Sequence, residues 1–191
     1  MKKIISVLLV ALVLVGVVFS VASCGKKDDT LVCGVTIVKN FNEKDENGNW
    51  TGFESDFARE VGKLICMKVE FQQIEWEQKY AELSSGAIDC IWNGFTANSR
   101  DNGVPRSELV DFSYSYMLNQ QCVVVKKSAL DAYKSEADLA GKTAVAESGS
   151  AGQSYAEGVV GTGKVVTSPA QINAFLEVKS GAADFAVVDI L

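Results

Sequence analysis

The sequence predicts an α/β protein with two lobes, and three features of the chain indicate this fold class. From residue 31 onward, short apolar runs typical of buried strands alternate with segments of helical periodicity. The pattern Ser-Gly-Ala-x-Asp occurs at 85–89 and again at 180–184, where it closes a helix and opens a strand, although coincidence is the alternative for so common a step. The apolar run 88–92 leads into a polar segment, as a buried strand does where its carboxyl end faces a ligand crevice.

The N-terminal segment has the composition of an export signal. Lys2 and Lys3 precede a run without charged residues from 4 to 22, which ends in small residues. The run is also about as long as a membrane-spanning helix, which is the alternative interpretation.

The segment Val21-Ala22-Ser23-Cys24 resembles the bacterial lipoprotein signal and favours a signal peptide over residues 1–23. This resemblance implies that Cys24 becomes the first mature residue and carries acyl chains such as palmitate. Lipid on Cys24 would hold the protein at the extracytoplasmic face of the cell membrane. Residues 24–30 then read as a short lipidated tether.

Composition excludes several classes of site and partner. Loss of residues 1–23 removes two lysines and no acids, which changes the net charge from −6 to −8. Without a basic cluster, nucleic acid is not an expected partner. The chain has no histidine, which excludes His-based triads and His metal sites, and the cysteines after Cys24 form no CxxC pair. We therefore expect no metal and no cofactor. Buried thiols are expected at Cys33, Cys90 and Cys122, and whether one disulfide forms stays open.

Residues 31–125 are predicted to form the first lobe. Strands are predicted at 31–38, 69–74 and 88–92, and a further apolar strand ends this lobe at 121–125. A short helix is predicted over 76–83. A longer helix opens at residue 53, because five apolar residues share one face of a 3.6-residue period: Phe53, Phe57, Val61, Leu64 and Ile65.

Residues 126–191 are predicted to form the second lobe, after a polar boundary segment at 128–138. Strand character returns at 143–146, 165–166 and 185–188. Between these strands lie a helix that runs through Tyr155 and another that opens near Pro169 and ends at Ser180. An apolar strand that finishes at Leu191 has nothing to cover it, so we expect this lobe to be partial and the chain to be a fragment.

Motifs along the chain together resemble one protein family in their order and spacing. They are Thr51–Asp56, Trp76 with Leu83 and Asp89, Asn93–Thr96, Arg106 six residues before Phe112-Ser113, Asp138–Lys142, Glu147–Gly152, and Gly181–Asp184 continued to Asp189. From about residue 30 to residue 191 the chain resembles the extracellular solute-binding proteins of amino-acid ABC importers, the polar amino acid group with the type 2 periplasmic-binding-protein fold. The resemblance implies a protein that is not an enzyme, which binds a free amino acid between two lobes and delivers it to a membrane permease.

The resemblance also implies which residues hold the two ends of the ligand. Arg106 would meet the carboxylate as a bidentate fork, helped by free backbone N–H groups at Ser150 and Ala151, although Ser150 can also simply cap its helix. Asp189 would hold the ammonium, with main-chain carbonyls at Asn93 or Gly94. The hydroxyl of Thr96 would complete the shell.

Three further positions align with the ligand stem and side chain. Trp76 would lie against the stem, but periodicity alone allows it to be a core residue packed with Tyr80 and Leu83. Thr36 and Glu147 align with positions that recognise the side chain, and Glu147 would favour an amine or a guanidinium. The identity of the amino acid stays open.

One departure from the family concerns the loop before the arginine. The loop of residues 97–105 is about five residues longer than the same loop in most family members. Arg100 therefore competes with Arg106 for the same role. Arg106 keeps the offset to Phe112-Ser113, which favours it.

Two other classes of protein stay open. Some exported dehydratases of cyclic acids resemble the same fold and would need a proton-transfer group such as Glu147, Asp189 or a tyrosine. The other class is the ligand-sensing module of a receptor, which the lipoprotein signal disfavours.

Overall fold

The computed structural model describes residues 29–190. The predicted signal peptide of residues 1–23 and the lipidation site Cys24 lie outside the described residues, as does most of the tether. No helix between residues 29 and 190 is both long and apolar enough to cross a membrane.

The first lobe is built on a three-stranded sheet. Its strands are β1 (Thr30–Val35), β4 (Lys68–Gln73) and β5 (Cys90–Ile91), in the order β4-β1-β5. Strands β1 and β5 are parallel, and Cys33 lies opposite Cys90. Two short antiparallel hairpins complete the strands of this half, β2 (Glu43–Lys44) with β3 (Trp50–Thr51) and β6 (Arg100–Asp101) with β7 (Val104–Pro105).

The helices of the first lobe are α1 (Phe53–Leu64) and α2 (Lys79–Ser85), and a 3-10 turn at Trp76–Gln78 precedes α2. The apolar face of α1 is only partly covered. Leu64 is 83% exposed and Phe53 is also exposed, while the buried residues of α1 are Glu54, Ser55, Ala58 and Gly62.

Close backbone packing explains why α1 buries its small and polar face. A Cβ on Gly62 would lie 2.5 Å from the side chain of Val69 on β4, so this contact requires glycine. The buried polar groups of the same face have partners, because Glu54 accepts from the Tyr116 hydroxyl at 2.8 Å and Ser55 donates to Asn42 at 2.8 Å.

The second lobe is a four-stranded sheet between two helices. Its strands are β8 (Gln120–Val125), β9 (Ala144–Glu147), β10 (Val165–Ser168) and β11 (Phe185–Ile190), in the order β10-β9-β11-β8. Only β8 runs antiparallel to its neighbour. The helices are α3 (Ala151–Val160) and α4 (Gln171–Ser180), and 3-10 turns at Lys127–Ala132 and Glu136–Leu139 replace the predicted polar boundary.

Strand β8 does not belong to the first lobe, where the sequence boundary at 125/126 put it. It pairs along its whole length with β11, so the sheets change before residue 120. Apolarity predicts that such a strand is buried, but it carries no information about which sheet the strand joins.

Alternation along β9 and β11 builds the core of the second lobe on both faces of its sheet. One face is buried with Ala156 of α3, and its residues are Ala144, Ala146, Phe185 and Val187. The other face packs against Ala174 and Val178 of α4, and its residues are Val145, Ala186 and Val188.

The Ser-Gly-Ala-x-Asp repeat has the same structure in both lobes. Gly86 and Gly181 end their helices in the left-handed conformation, with φ of 74° and 91°. Asp89 then accepts a hydrogen bond from the backbone N–H of Val32 at 2.7 Å, and Asp184 accepts one from Thr143 at 2.8 Å. In each lobe the aspartate therefore ties the strand that follows the helix to a neighbouring segment of its sheet.

Candidate functional site

A cavity lies between the strand ends of the first lobe and the helix starts of the second. All nine predicted ligand-binding residues line it: Thr36, Trp76, Asn93, Gly94, Thr96, Arg106, Ser150, Ala151 and Asp189. Glu147 is also on its wall, together with Val38, Phe41 and Gln171, which sequence reasoning did not name.

The cavity is contracted in this structure. Its volume is about 20 Å³, which is the room of about one water molecule. Direct contacts between the lobes close it, because Arg106 and Lys79 both donate to the carbonyl oxygen of Gly149, each at 3.1 Å. A molecule larger than water therefore enters only when the walls move apart.

The first-lobe wall comes from the ends of β1 and β5. Thr36 directly follows β1, and its hydroxyl accepts a hydrogen bond from the Asn93 amide at 2.6 Å. Gly94 and Thr96 continue the chain beyond β5. The Thr96 hydroxyl accepts from Asn119 at 3.2 Å, so this wall is joined to the residue that precedes β8.

Arg106 is the most deeply buried cation of the wall. It opens a 3-10 turn, its side chain is 1% exposed, and the guanidinium lies over the Phe95 ring at 4.9 Å. It donates to the Thr96 carbonyl at 3.2 Å and forms an ion pair with Asp101 at 2.9 Å. Arg100 is exposed, is not part of the wall, and donates to the nearby carbonyl of Gly103.

Trp76 is buried and also lies on the cavity wall. Its ring meets the edge of Phe95 with centroids 5.0 Å apart. One side of the indole faces the ammonium of Lys79 at 4.9 Å.

The second-lobe wall begins at the turn between β9 and α3. Ser150 caps α3 by accepting a hydrogen bond from the backbone N–H of Gln153 at 3.0 Å. The first helical residue, Ala151, lies beside it on the wall. The N–H of Ser150 donates to the Glu147 carbonyl at 3.2 Å, so the N–H of Ala151 and the dipole of this helix start are what favour a negative group.

Glu147, at the end of β9, is buried and acidic. Burial and, next, the charge of Asp189 raise the pKa of its carboxyl from 4.5 to about 7. The side chain is buried on the cavity wall, so at neutral pH a positive group in the cavity would draw this carboxyl toward its charged form.

Asp189 is held by three amide groups. Its carboxylate accepts from Asn119 at 2.6 Å, from Gln121 at 2.5 Å and from Gln171. Its backbone N–H donates to the side-chain oxygen of Gln171 at 2.9 Å. The carboxylate is thereby fixed on the cavity wall.

Sequence reasoning missed the groups that hold the wall residues in place: Lys79, Asp101, Asn119, Gln121 and Gln171. One signal was available for Gln171. It opens its helix just as Ala151 does, and helix starts and the carboxyl ends of strands in an α/β fold meet at one crevice. Among residues 29–190, no group of three acidic or thiol side chains is arranged to hold a metal ion.

Comparison with known proteins gives consistent matches. The family of bacterial extracellular solute-binding proteins, family 3, matches residues 31–186. The L-cystine-binding protein TcyA of Bacillus subtilis is 33% identical over 103 residues, which cover 54% of this chain and 35% of that protein. The chain therefore spans about a third of the length of this curated relative.

Two solved structures extend the likeness to the fold. An ancestral arginine-binding protein bound to arginine superposes with a TM-score of 0.73 at 35% identity, over 84% of this chain and 70% of that one. An ancestral amino-acid-binding protein, a precursor of cyclohexadienyl dehydratase, has a TM-score of 0.74 at 34% identity, over 85% of this chain and 71% of that one. Both are type 2 periplasmic binding proteins, and the predicted fold class is confirmed.

Proposed function

Because the chain belongs to the bacterial extracellular solute-binding proteins of family 3, we propose that it is the extracytoplasmic substrate-binding component of an ABC importer. It binds a free amino acid in the cleft between its lobes and delivers it to a membrane permease. One observation carries this proposal: a buried arginine of one lobe and a half-buried carboxylate of the other, Arg106 and Asp189, line the same cavity.

The carboxylate of the ligand binds to Arg106 and to the start of α3. A guanidinium meets a carboxylate with two parallel charge-assisted hydrogen bonds, which are stronger than neutral ones. Ala151 adds a backbone donor from the opposite lobe, beside Ser150, whose own N–H donates to the Glu147 carbonyl. The carboxylate therefore contacts both lobes.

The ammonium binds near Asp189, which supplies the negative charge. Carbonyl groups at Asn93 and Gly94 and the hydroxyl of Thr96 line the same cavity and are acceptors of the right kind. A ligand that contacts both lobes favours the closed state over the open one, and only that difference in affinity shifts the hinge.

The side chain of the ligand faces Glu147 and Thr36, which favours a ligand with a cationic or hydrogen-bond-donating side chain. A positive group would pair with the buried Glu147 carboxyl and lower its pKa again. Two similar proteins are named for L-cystine and arginine, so the family accommodates different side chains.

A thermal-shift screen of the twenty amino acids tests this function, because a ligand raises the apparent stability by RT ln(1 + [L]/Kd). We expect one amino acid or a small related group to raise the melting temperature. The matching decarboxylated amine is the control and should have no effect. A chain that folds but responds to none of the twenty contradicts the proposal.

We further propose that the cleft binds its ligand without converting it chemically. The raised pKa of Glu147 would suit a general acid at neutral pH, but acid–base catalysis also needs a second group for proton transfer. The neighbouring Asp189 does not offer one readily, because three amide donors already engage its carboxylate. Incubation with prephenate-like acids tests this, and detectable product would favour a dehydratase instead.

Lipid anchoring at Cys24 belongs to the same proposal. Labelling of expressing cells with a fatty acid that carries an alkyne should mark the wild-type chain, whereas Cys24→Ser should stay unlabelled and leave the membrane fraction. Equal labelling of both chains would refute the anchor.

A further inference from the structure

The segment between Thr96 and Arg106 is an ordered hairpin. Strands β6 and β7 pair directly, and the two residues between them, Asn102 and Gly103, have φ of 50° and 80°. Positive φ at both positions is typical of a tight two-residue turn that matches the strand twist. The hairpin therefore holds Asp101, which ends β6, at a defined place beside the cleft.

Asp101 lies at the centre of a buried polar cluster. Its side chain is 12% exposed, and one oxygen accepts from Nε of Arg106 at 2.9 Å and lies 2.9 Å from its Nη2 as an ion pair. The other oxygen accepts from the Tyr80 hydroxyl at 2.6 Å and lies 3.5 Å from Nζ of Lys79. Burial alone would raise the pKa of Asp101, but the hydrogen bonds from Tyr80 and Arg106 hold it below its usual 3.8.

Two cations share this single carboxylate. Lys79 is 2% exposed and Arg106 is 1% exposed, and both donate to the carbonyl of Gly149 in the second lobe. A buried charge without a partner is strongly destabilising, so each cation depends on Asp101. The turn at Gly149 is fitted to them, because a Cβ there would lie 3.2 Å from Nζ of Lys79.

The contacts of Asp101 also decide which donors of Arg106 remain for a ligand. Asp101 takes Nε–H, and the carbonyls of Thr96 and Gly149 take one hydrogen each from Nη1 and Nη2. Of five donors, two are then uncommitted, one on Nη1 and one on Nη2. A carboxylate that binds through two parallel bonds from these two nitrogens can therefore do so while Nε keeps its bond to Asp101.

We propose that Asp101 is a positioning residue, which holds the Arg106 guanidinium with its remaining edge toward the cleft and holds Lys79 against the Gly149 turn. The inference rests on the proposed function, since Arg106 is its carboxylate-binding residue. It assigns a role to the longer segment 97–105: the segment supplies the counterion of the binding arginine.

Substitution of Asp101 tests this, with Asp111→Asn as the control because Asp111 is exposed and the change in charge is the same. The first readout is the Nε–H signal of Arg106 in NMR spectra of the ligand-free protein, assigned by its loss in Arg106→Ala. We expect Asp101→Asn to shift or broaden this signal and Asp111→Asn to leave it unchanged. An unchanged signal in a folded Asp101→Asn protein overturns the positioning role.

The second readout is the affinity for the best amino acid of the thermal-shift screen. We expect Asp101→Asn to weaken binding about 30-fold, Asp101→Glu to restore part of the loss, and Asp101→Asn to have little further effect in the Arg106→Ala background. Independent effects of the two substitutions would overturn the proposal. If no amino acid binds the wild-type chain, the proposed function fails, while the NMR signal still tests the positioning.

A second variant keeps the test valid if Asp101→Asn does not fold. Lys79→Met removes one of the two cations, so Lys79→Met/Asp101→Asn keeps only Arg106 and should unfold at a higher temperature than Asp101→Asn alone. The double variant should still show the altered Arg106 signal. A double variant with the wild-type signal would show that Asp101 does not orient Arg106.

Discussion

The two lobes use the same local device but bring opposite charges to the cleft. In each, a left-handed glycine ends a helix and an aspartate then ties down the sheet, at Asp89 in the first lobe and Asp184 in the second. The first lobe then places the buried cations Arg106 and Lys79 beside the cleft, whereas the second places the buried acid Glu147 there, with Asp189 on the same wall.

This difference teaches how a symmetric scaffold can recognise an asymmetric ligand. A free amino acid, the proposed ligand, carries a negative and a positive end, and the opposed charges of the two walls would orient it in one direction. The local structure can be the same in both lobes because it supplies only strand ends and helix starts. The sign of the charge on each wall depends on a few side chains at those ends.

The largest expected effect comes from removal of the cation of the first lobe. Arg106→Ala should weaken amino-acid binding at least about 300-fold, because loss of one partner of a buried charge pair costs several kcal/mol. Isothermal titration calorimetry measures this loss. Arg100→Ala is the matched control in the same segment and should change affinity less than about threefold, because Arg100 is exposed. The reverse order would assign carboxylate binding to Arg100.

The buried carboxyl of Glu147 in the second lobe predicts a pH dependence of stability. The folded-state pKa of Glu147 is raised to about 7 from 4.5, so the folded chain binds an extra proton between these values. The free energy of unfolding should therefore fall as the pH rises from 4.5 through 7, by up to about 3 kcal/mol at higher pH.

Urea unfolding of wild type and Glu147→Gln at pH 5 and pH 8 measures this contribution. The difference between the two pH values should be smaller in the variant, since glutamine does not titrate. An equal difference in both chains would assign the dependence to other groups.

Substitution of Asp189, the proposed ammonium-binding acid, should have a smaller effect on affinity. Asp189→Asn removes the charge but keeps the shape, and we expect binding to weaken about 30-fold, which is about 2 kcal/mol. Asp184→Asn is the control in the same lobe, because Asp184 bonds only to backbone away from the cavity. Calorimetry with unchanged affinity in Asp189→Asn would move the ammonium site elsewhere.

Much of the fold and nine residues of the cavity wall were predicted from the sequence, whereas Val38, Phe41 and Gln171 of the same wall were not. Buried strands and helix stops are local patterns, and Gly86 and Gly181 end their helices as predicted. The nine candidate residues line one cavity because strand ends and helix starts of an α/β fold meet at one crevice. Their roles in binding stay predictions.

What the sequence did not show depends on contacts between distant residues. The buried face of α1 was not predicted, because a close approach at Gly62, which no periodicity records, brings its small residues against β4. Strand β8 joins the second sheet through pairing with a strand more than 60 residues later. The link from Lys79 to Gly149 spans 70 residues, so no local pattern reports it.

The smallest expected effect concerns the device that the lobes share. Asp89→Asn and Asp184→Asn each weaken a charge-assisted hydrogen bond to a backbone N–H, so each should lower the free energy of unfolding by about 1 kcal/mol. Neither aspartate lines the cavity, so the affinity of the folded protein for its amino acid should stay unchanged. Urea unfolding and calorimetry on both variants measure the two quantities. A loss of affinity from either substitution would mean that the shared scaffold also takes part in recognition, and that the separation between scaffold and charge does not hold.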